Sequence, residues 1–415
     1  MSVDDIDVLV IGAGLAGLRC AGVLAAAGRD VAVWEAADDI GGRVRTDVID
    51  GFRCDRGFQV LNPAYPELSR ALDPEALELQ PFGAGVAVRR EHGATVWVHP
   101  ARMPQKVPAM LARGGLGPRD LLAVARWAAP ALRPGALTSG GADETLREAL
   151  DAARVRGELR RVIDRFLAGV VLDDSGATSN AFALLLARMF ALGVPALPAG
   201  GMAALPALLA AGLRDRISLH RNAVDIRRDG AGFRVGDGAD SVRAAQVVIA
   251  ADPVTAAALA GLPTPAMHGV VTDWWATDEP QSTPPMLWVD GRPGATGPVL
   301  NTAVISAAAP TYAPPGRHLI AASALPAADG TAPAEELTRR HAAAILGTDP
   351  GSWELLIRHE IGGALPAQPA PLSVRRPVCL EDGLWVCGDH RDTASIQGAL
   401  VSGRRTAEAL LKSAG

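Results

Sequence analysis

The stretch from Val8 to Glu35 limits the possible folds of this chain more than any other. Val8-Leu-Val-Ile11 is apolar without alternation, as expected for a strand buried on both faces of a parallel sheet. It runs into Gly12-Ala-Gly14-Leu-Ala-Gly17, then an Ala- and Leu-rich segment of helical length to Ala27, with Gly28 placed to cap it. Asp30-Val-Ala-Val-Trp34 reads as a second strand, ending in Glu35. The pattern is strand, glycine-rich turn, helix, strand, acid. Gly12 allows the tight turn, Gly14 lets backbone approach a pyrophosphate, and Gly17 lets the helix pack closely on the sheet. The helix start, at Leu15 and Ala16, offers free N–H groups and partial positive charge to phosphates. Glu35 lies 23 residues after Gly12, where a carboxylate can accept from both ribose hydroxyls, with Ala36 beside it. The unit is a dinucleotide-binding βαβ start.

The segment after it narrows the class of dinucleotide. In Asp38-Asp-Ile-Gly41-Gly42-Arg43, two glycines and an arginine follow the ribose acid. Such a loop can cross back over the pyrophosphate, with Arg43 neutralising its charge. A dehydrogenase that binds only NAD does not account for it. Asp50-Gly51 is a hairpin signal between this loop and Cys54-Asp-Arg-Gly57-Phe58-Gln59.

Gly12 to Thr46 resembles the N-terminal signature of the superfamily of flavin-containing amine oxidases, phytoene desaturases and protoporphyrinogen oxidases. The superfamily also includes carotenoid isomerases and Rab GDP-dissociation inhibitors. Two further blocks extend the resemblance. Leu197 to Ala251, with its Pro-x-Gly-Gly start, resembles the family's helix and the strand whose backbone meets the adenine, near Val224. Near the C-terminus, Gly388-Asp389 follows a strand, and Ile396-Gln397-Gly398-Ala399 opens an amphipathic run to Leu411. In the family the Gly-Asp pair meets the flavin's pyrophosphate or ribityl chain, and the helix start points at the flavin edge where reduction places negative charge. The resemblance covers a little under half of the chain. It implies non-covalent FAD, held by Gly12, Gly14, Leu15, Ala16, Gly17, Glu35, Ala36, Gly41, Gly42, Arg43, Gly57, Phe58, Gln59, Val224, Gly388, Asp389, Ile396, Gln397 and Ala399.

The implied fold is α/β with an α+β second part. A Rossmann-type discontinuous FAD-binding domain (1–65, 196–267 and 373–415) accompanies a mixed helical and antiparallel-sheet substrate domain (66–195 and 268–372). Residues 66–192 read as mostly helical, including a run from Glu144 to Leu172. Strands are expected at Gly269–Trp275, Pro285–Asp290, Pro298–Ser306, His318–Leu325 and Trp353–Ile361, with a helix near Pro333–Leu346. Trp274 and Trp275 are expected in the core.

Composition removes other classes. In 415 residues, 49 % are apolar and 20 % charged, enough to bury a large core. The formal net charge of −5 offers no field for nucleic acid. Cys20, Cys54, Cys379 and Cys387 form no C-x-x-C pair and no zinc spacing, so no metal is expected. The N-terminus carries no signal-peptide pattern and no run is long and apolar enough to span a membrane, so a cytoplasmic location is expected.

The resemblance implies hydride transfer from a substrate carbon to flavin N5, with a small-molecule substrate and an unknown electron acceptor. The family's amine oxidases use a lysine near N5 and an aromatic pair. This chain has only Lys106 and Lys412, neither in the sheet half, and only Tyr65 and Tyr312. The expectation is therefore a desaturase or dehydrogenase type acting on an apolar molecule. Alternatives are a non-redox flavin isomerase, an amine oxidase lacking the usual lysine, and a lipid carrier that has lost FAD. Gln59, His390 and Arg391 are the catalytic candidates, because their motifs should end beside the isoalloxazine. The apolar segments Leu121–Leu132 and Phe182–Leu192 could line a tunnel, rest on a membrane surface, or be core helices.

Overall fold

The computed structural model describes residues 5–113, 115–133, 135, 143–279, 281, 283–294 and 297–413, which excludes the first four of the N-terminal residues considered above. Two sheets organise the chain. In the first, Asp5–Ile11 lies parallel between Val31–Trp34 and Ser241–Ile249. Ile217–Ser218 extends one side, in parallel with Val31–Trp34. On the other side Leu384–Val386 runs parallel to the end of Ser241–Ile249, and Gly232–Gly236 pairs antiparallel with its beginning. This sheet therefore gathers chain from the start, middle and end of the sequence. Its apolar strands are buried on both faces: Val8, Leu9, Val10 and Val247, Val248, Ile249 are all at 0 % exposure.

The second sheet has seven strands in the order Glu354–Pro366, Met267–Thr277, His318–Ala324, Val299–Val304, Leu287–Asp290, Gly85–Arg89, Ala94–Val98. All neighbours are antiparallel except Leu287–Asp290 with Gly85–Arg89. The strands between 267 and 366 lie where the sequence predicts them. Gly85–Arg89 and Ala94–Val98 correct the mostly helical reading of residues 66–192. Their alternation is short, and the Gly93 turn (φ 85°) closes them into a hairpin that is stabilised by its place in the sheet and by helices packed on it. The expected helix from Glu144 to Leu172 is two helices, Leu146–Ala152 and Gly157–Val171. Arg154 and Gly157 take positive φ between them, at 63° each, which ends one helix and starts the next at a new angle. Trp274 and Trp275 are buried core residues, as expected.

The Thr46–Ile49 and Phe52–Asp55 hairpin turns at Asp50 and Gly51, both at positive φ (49° and 83°), as a two-residue turn requires. Asp55, at its end, is buried. The Thr46 hydroxyl and the Met202 N–H donate to its Oδ1 at 2.6 and 2.9 Å, and the Tyr312 hydroxyl donates to Oδ2 at 2.9 Å. One carboxylate thus ties the hairpin, the 196–209 segment and the second sheet's connection together. Burial pushes its carboxyl up to about 6, against the pull of those donors. The native state therefore holds this proton more tightly than the unfolded chain does. Its contribution is greatest at acid pH and is lost as pH rises through 6, by about 3 kcal/mol. Denaturant unfolding of the parent and Asp55→Asn, from about pH 4 to about pH 7, checks this. The parent must lose stability relative to the variant; parallel curves would refute the assignment.

All four cysteines are free thiols, and Cys20, Cys54 and Cys387 are buried. Burial pushes the Cys54 thiol up to about 12.

Candidate functional site

Between the sheets lies a cavity of about 1080 Å³. Its floor at one end is the glycine-rich turn. Gly12 sits at φ 109°, and a Cβ there would lie 2.6 Å from the Ala250 carbonyl oxygen. Gly14 caps the Leu15–Ala26 helix from extended backbone, and a Cβ on it would meet no atom within 4 Å. That open space is the cavity, which Leu15 and Ala16 also line. Gly17 lies beneath the turn and not on the wall. A Cβ on it would fall 1.9 Å from the Gly12 carbonyl oxygen, so its absence brings helix and strand together.

Glu35 closes this end. Its carboxylate accepts from the Ala13 N–H at 2.7 Å and the Ala37 N–H at 2.9 Å, which fixes both oxygens at the cavity edge with lone pairs to spare. Ala36 lines the wall beside it. Arg221, which the motif reading missed, stacks over Trp34 at 4.4 Å and pairs with Asp237 at 2.9 Å. With Asn222 and Ala223 it forms the wall where Val224 was expected. Val224 is a correction: its side chain is exposed, it is not a lining residue, and its N–H is committed to the Gly236 carbonyl at 2.9 Å. Arg221 carries no motif, because it lies in a connection between short strands.

The Gly41-Gly42-Arg43 loop folds back over the turn. The Gly41 N–H donates to the Ala13 carbonyl at 2.9 Å, and a Cβ on Gly42 would lie 3.4 Å from the Gly14 Cα. Arg43 reaches across the molecule. Its guanidinium donates to Asp389 Oδ1 at 2.7 Å and to the Ala364 carbonyl at 2.9 Å. Burial works against this charge, but the Asp389 carboxylate outweighs it and holds the guanidinium pKa above its usual value. Gly57, Phe58 and Gln59 line the middle of the cavity opposite Val270 and Ile361. The Gln59 amide donates to the Arg43 and Arg56 carbonyls, at 2.7 and 3.0 Å, and so holds the loop.

Gly388, Asp389, Ile396 and Ala399 line the cavity near the start of the Ile396–Ser413 helix. Three expected neighbours do not. The Gln397 side-chain Oε1 accepts the Glu67 N–H at 3.0 Å, facing the Glu67, Arg19 and Arg404 ion cluster. His390 is packed behind Gly388, where a Cβ would lie 2.5 Å from its ring. Burial lowers its imidazole to about 4, so it is neutral at ordinary pH. The Arg391 guanidinium donates to the Pro377 carbonyl, away from the cavity. As catalytic candidates, His390 and Arg391 are therefore corrected, for the short helix Asp389–Arg391 turns both away from the cavity, His390 into the protein interior. Gln59 alone of the three lines the cavity.

Beyond Gln59 the cavity opens into an apolar chamber. Its walls include Trp97, Trp127, Val162, Phe166, Leu186 and Phe190. The segments Leu121–Leu132 and Phe182–Leu192 thus contribute lining residues, while Leu122 and Leu132 stay exposed. Among the described residues, no lysine lines the cavity. Among them, too, no group of three or more His, Cys, Asp or Glu is arranged to hold a metal ion, and no helix is long and apolar enough to cross a membrane.

A glycine turn whose missing Cβ leaves room, a free helix start, a ribose-side carboxylate and a bridging arginine together form a site that fits a flavin dinucleotide. The chain belongs to the flavin containing amine oxidoreductase family, whose profile matches residues 15–411, and it is a flavin-dependent oxidoreductase. Putrescine oxidase of Kocuria rosea is 47 % identical over 72 residues, which span 17 % of this chain and only 15 % of that protein. An oxidoreductase from Methanosarcina mazei shares the fold with a TM-score of 0.74, at 18 % identity over 97 % of this chain and 100 % of that one. Cyclohexylamine oxidase from Brevibacterium oxydans superposes with a TM-score of 0.66, at 19 % identity over 99 % of each chain.

Proposed function

We propose that this chain binds FAD non-covalently and is a desaturase- or dehydrogenase-type oxidoreductase acting on an apolar or partly apolar small molecule. The observation that carries this reading is one cavity joining the glycine cradle to an apolar chamber. When bound, FAD supplies the acceptor for a hydride from a substrate carbon. The protein's own part is orientation and exclusion of water. Glu35 and the Gly12–Gly17 turn hold the nucleotide end, and Arg43 and Asp389 hold the centre. Residues 1–65, 196–267 and 373–415 form the FAD-binding unit in this reading, and 66–195 with 268–372 the substrate unit. The chamber beyond Gln59 includes no carboxylate among the described lining residues and no lysine, which disfavours a diamine held at its far end.

The first test is the visible spectrum of the purified protein before and after acid denaturation. Flavin bands released to the supernatant, with FAD identified by chromatography, are expected. A colourless protein that takes up no FAD in excess supports the carrier alternative instead. Glu35→Ala is expected to lower FAD affinity at least tenfold, about 1.4 kcal/mol, because one charge-assisted acceptor and the ordering of Ala13 and Ala37 are lost. Unchanged affinity would remove Glu35 from the nucleotide site.

A further inference from the structure

One polar side chain in the chamber is unexplained by anything above. Asn301 lies on the Val299–Val304 strand and is 3 % exposed, yet it lines the cavity. Its Oδ1 is buried and has no hydrogen-bond partner. Leaving a buried acceptor unpaired costs about 1–3 kcal/mol, so such a group calls for a reason.

The surroundings are built around it. The register between Val299–Val304 and His318–Ala324 shifts between Val299 and Asn301, and such a bulge re-aims the side chain that follows it. Directly against it, Gly169 sits inside the Gly157–Val171 helix, where glycine is unfavourable by about 0.5–1 kcal/mol relative to alanine. A Cβ on Gly169 would lie 2.1 Å from Asn301 Nδ2, so the glycine makes room for this amide. Phe166 and Val170 on the same helix, and Leu287 on the next strand, are apolar lining residues. Ser323, paired in register with Asn301, also lines the cavity, but its hydroxyl is occupied with Thr272 at 3.3 Å. The free acceptor is therefore Asn301 Oδ1.

We propose that Asn301 anchors the substrate, with Oδ1 accepting a hydrogen bond from a hydroxyl on an otherwise apolar molecule. This deepens the function proposed above and rests on it. A neutral hydroxyl fits better than an ammonium, because none of the described residues lining this part of the chamber offers a carboxylate to balance the charge. Asn301 lies two strands from Val270, with the His318–Ala324 strand between their own, or about 10 Å across the sheet. The hydroxyl would thus sit remote from the middle of the cavity and act in binding, not in the chemical step.

The test uses two probes with equal numbers of heavy atoms, n-decanol, which donates, and methyl nonyl ether, which only accepts. Binding to the flavin-loaded protein is read from tryptophan fluorescence, since Trp97 and Trp127 line the chamber, and from the flavin absorbance. The parent is expected to bind the alcohol at least tenfold more tightly than the ether. Asn301→Leu should bind the two alike, with the ether's affinity kept. Should that variant fail to fold, Asn301→Asp decides, because its carboxylate still accepts and the preference for the alcohol must persist. Equal affinities in the parent, a preference for the ether, or a tenfold preference surviving in Asn301→Leu would each overturn the proposal. So would no binding of either probe. A yellow protein with no alcohol preference sinks only the role of Asn301, whereas a colourless one sinks the FAD reading itself.

Discussion

Replacing Arg43 by methionine is expected to abolish flavin retention during purification and to destabilise the fold. Two losses act together. The guanidinium lines the cavity beside the folded-back Gly41-Gly42 loop and joins that loop to Asp389 and to the Ala364 carbonyl. Asp389 has only 5 % of its side chain exposed, so methionine leaves a buried carboxylate without its partner. Breaking a buried pair costs about 3–5 kcal/mol, and the lower end applies here because Arg43 is about a third exposed into the cavity. For the flavin, at least a hundredfold weaker binding is expected, about 2.7 kcal/mol, from loss of a cation that lines the cavity beside that loop. Lysine should fall between, since a single ammonium cannot reproduce the planar fork that serves two acceptors on different elements. Adding Asp389→Asn to the methionine variant separates the effects. It should recover most of the lost stability, because the stranded charge is gone, while flavin affinity stays low. Calorimetry and flavin titration read the two quantities. A methionine variant that stays yellow at micromolar concentration would show that Arg43 does not face the cofactor.

The sequence made the nucleotide end of the site legible because there the chemistry constrains backbone. Gly12, Gly14 and Gly17 each answer a separate steric demand at a fixed spacing, and the structure places those demands at the Ala250 carbonyl, the open cavity and the Gly12 carbonyl. The strands between 267 and 366 were legible as well, from apolar runs bounded by turns. Less local features were not. The Gly85–Val98 hairpin takes its stability from pairing with Leu287–Asp290, some two hundred residues later. His390 and Arg391 were placed by adjacency to Gly388-Asp389, but one turn of tight helix separates Asp389, which faces the cavity, from two neighbours that face away. Val224 failed in a similar way: it lies in the connection just before the Asp225–Asp229 strand, where its N–H is taken by the Gly236 carbonyl and its side chain is exposed. Arg221 and Asn301 have no motif at all. Asn301 becomes visible only when a register shift and a helix glycine are seen to converge on it.

The second large effect separates fold from cofactor within a single motif. Gly17→Ala is expected to destabilise the protein severely, by about 3 kcal/mol or more, at the upper end of what overpacking costs. The added methyl would meet the Gly12 carbonyl oxygen at 1.9 Å and the Ala250 Cβ at 3.1 Å, and the first of these is backbone. The helix cannot back away. On another side Gly403 of the C-terminal helix is packed so closely that a Cβ there would lie 2.2 Å from the Ala16 carbonyl oxygen. Nor can the turn yield, because Gly12 is itself held at positive φ against the Ala250 carbonyl. Gly14→Ala should behave in the opposite way. Its backbone, at φ −72° and ψ 177°, is open to alanine, and its Cβ would meet no protein atom within 4 Å. Its melting temperature without flavin should match the parent's, while its affinity for FAD falls, because the methyl projects where the pyrophosphate must approach. Gly22→Ala serves as control, since a Cβ there also meets nothing within 4 Å and the helix gains about 0.5–1 kcal/mol. If Gly14→Ala binds FAD as the parent does, the cavity above that turn is not the pyrophosphate site. If Gly17→Ala melts with the parent, the close approach of helix and strand is not what the third glycine is for.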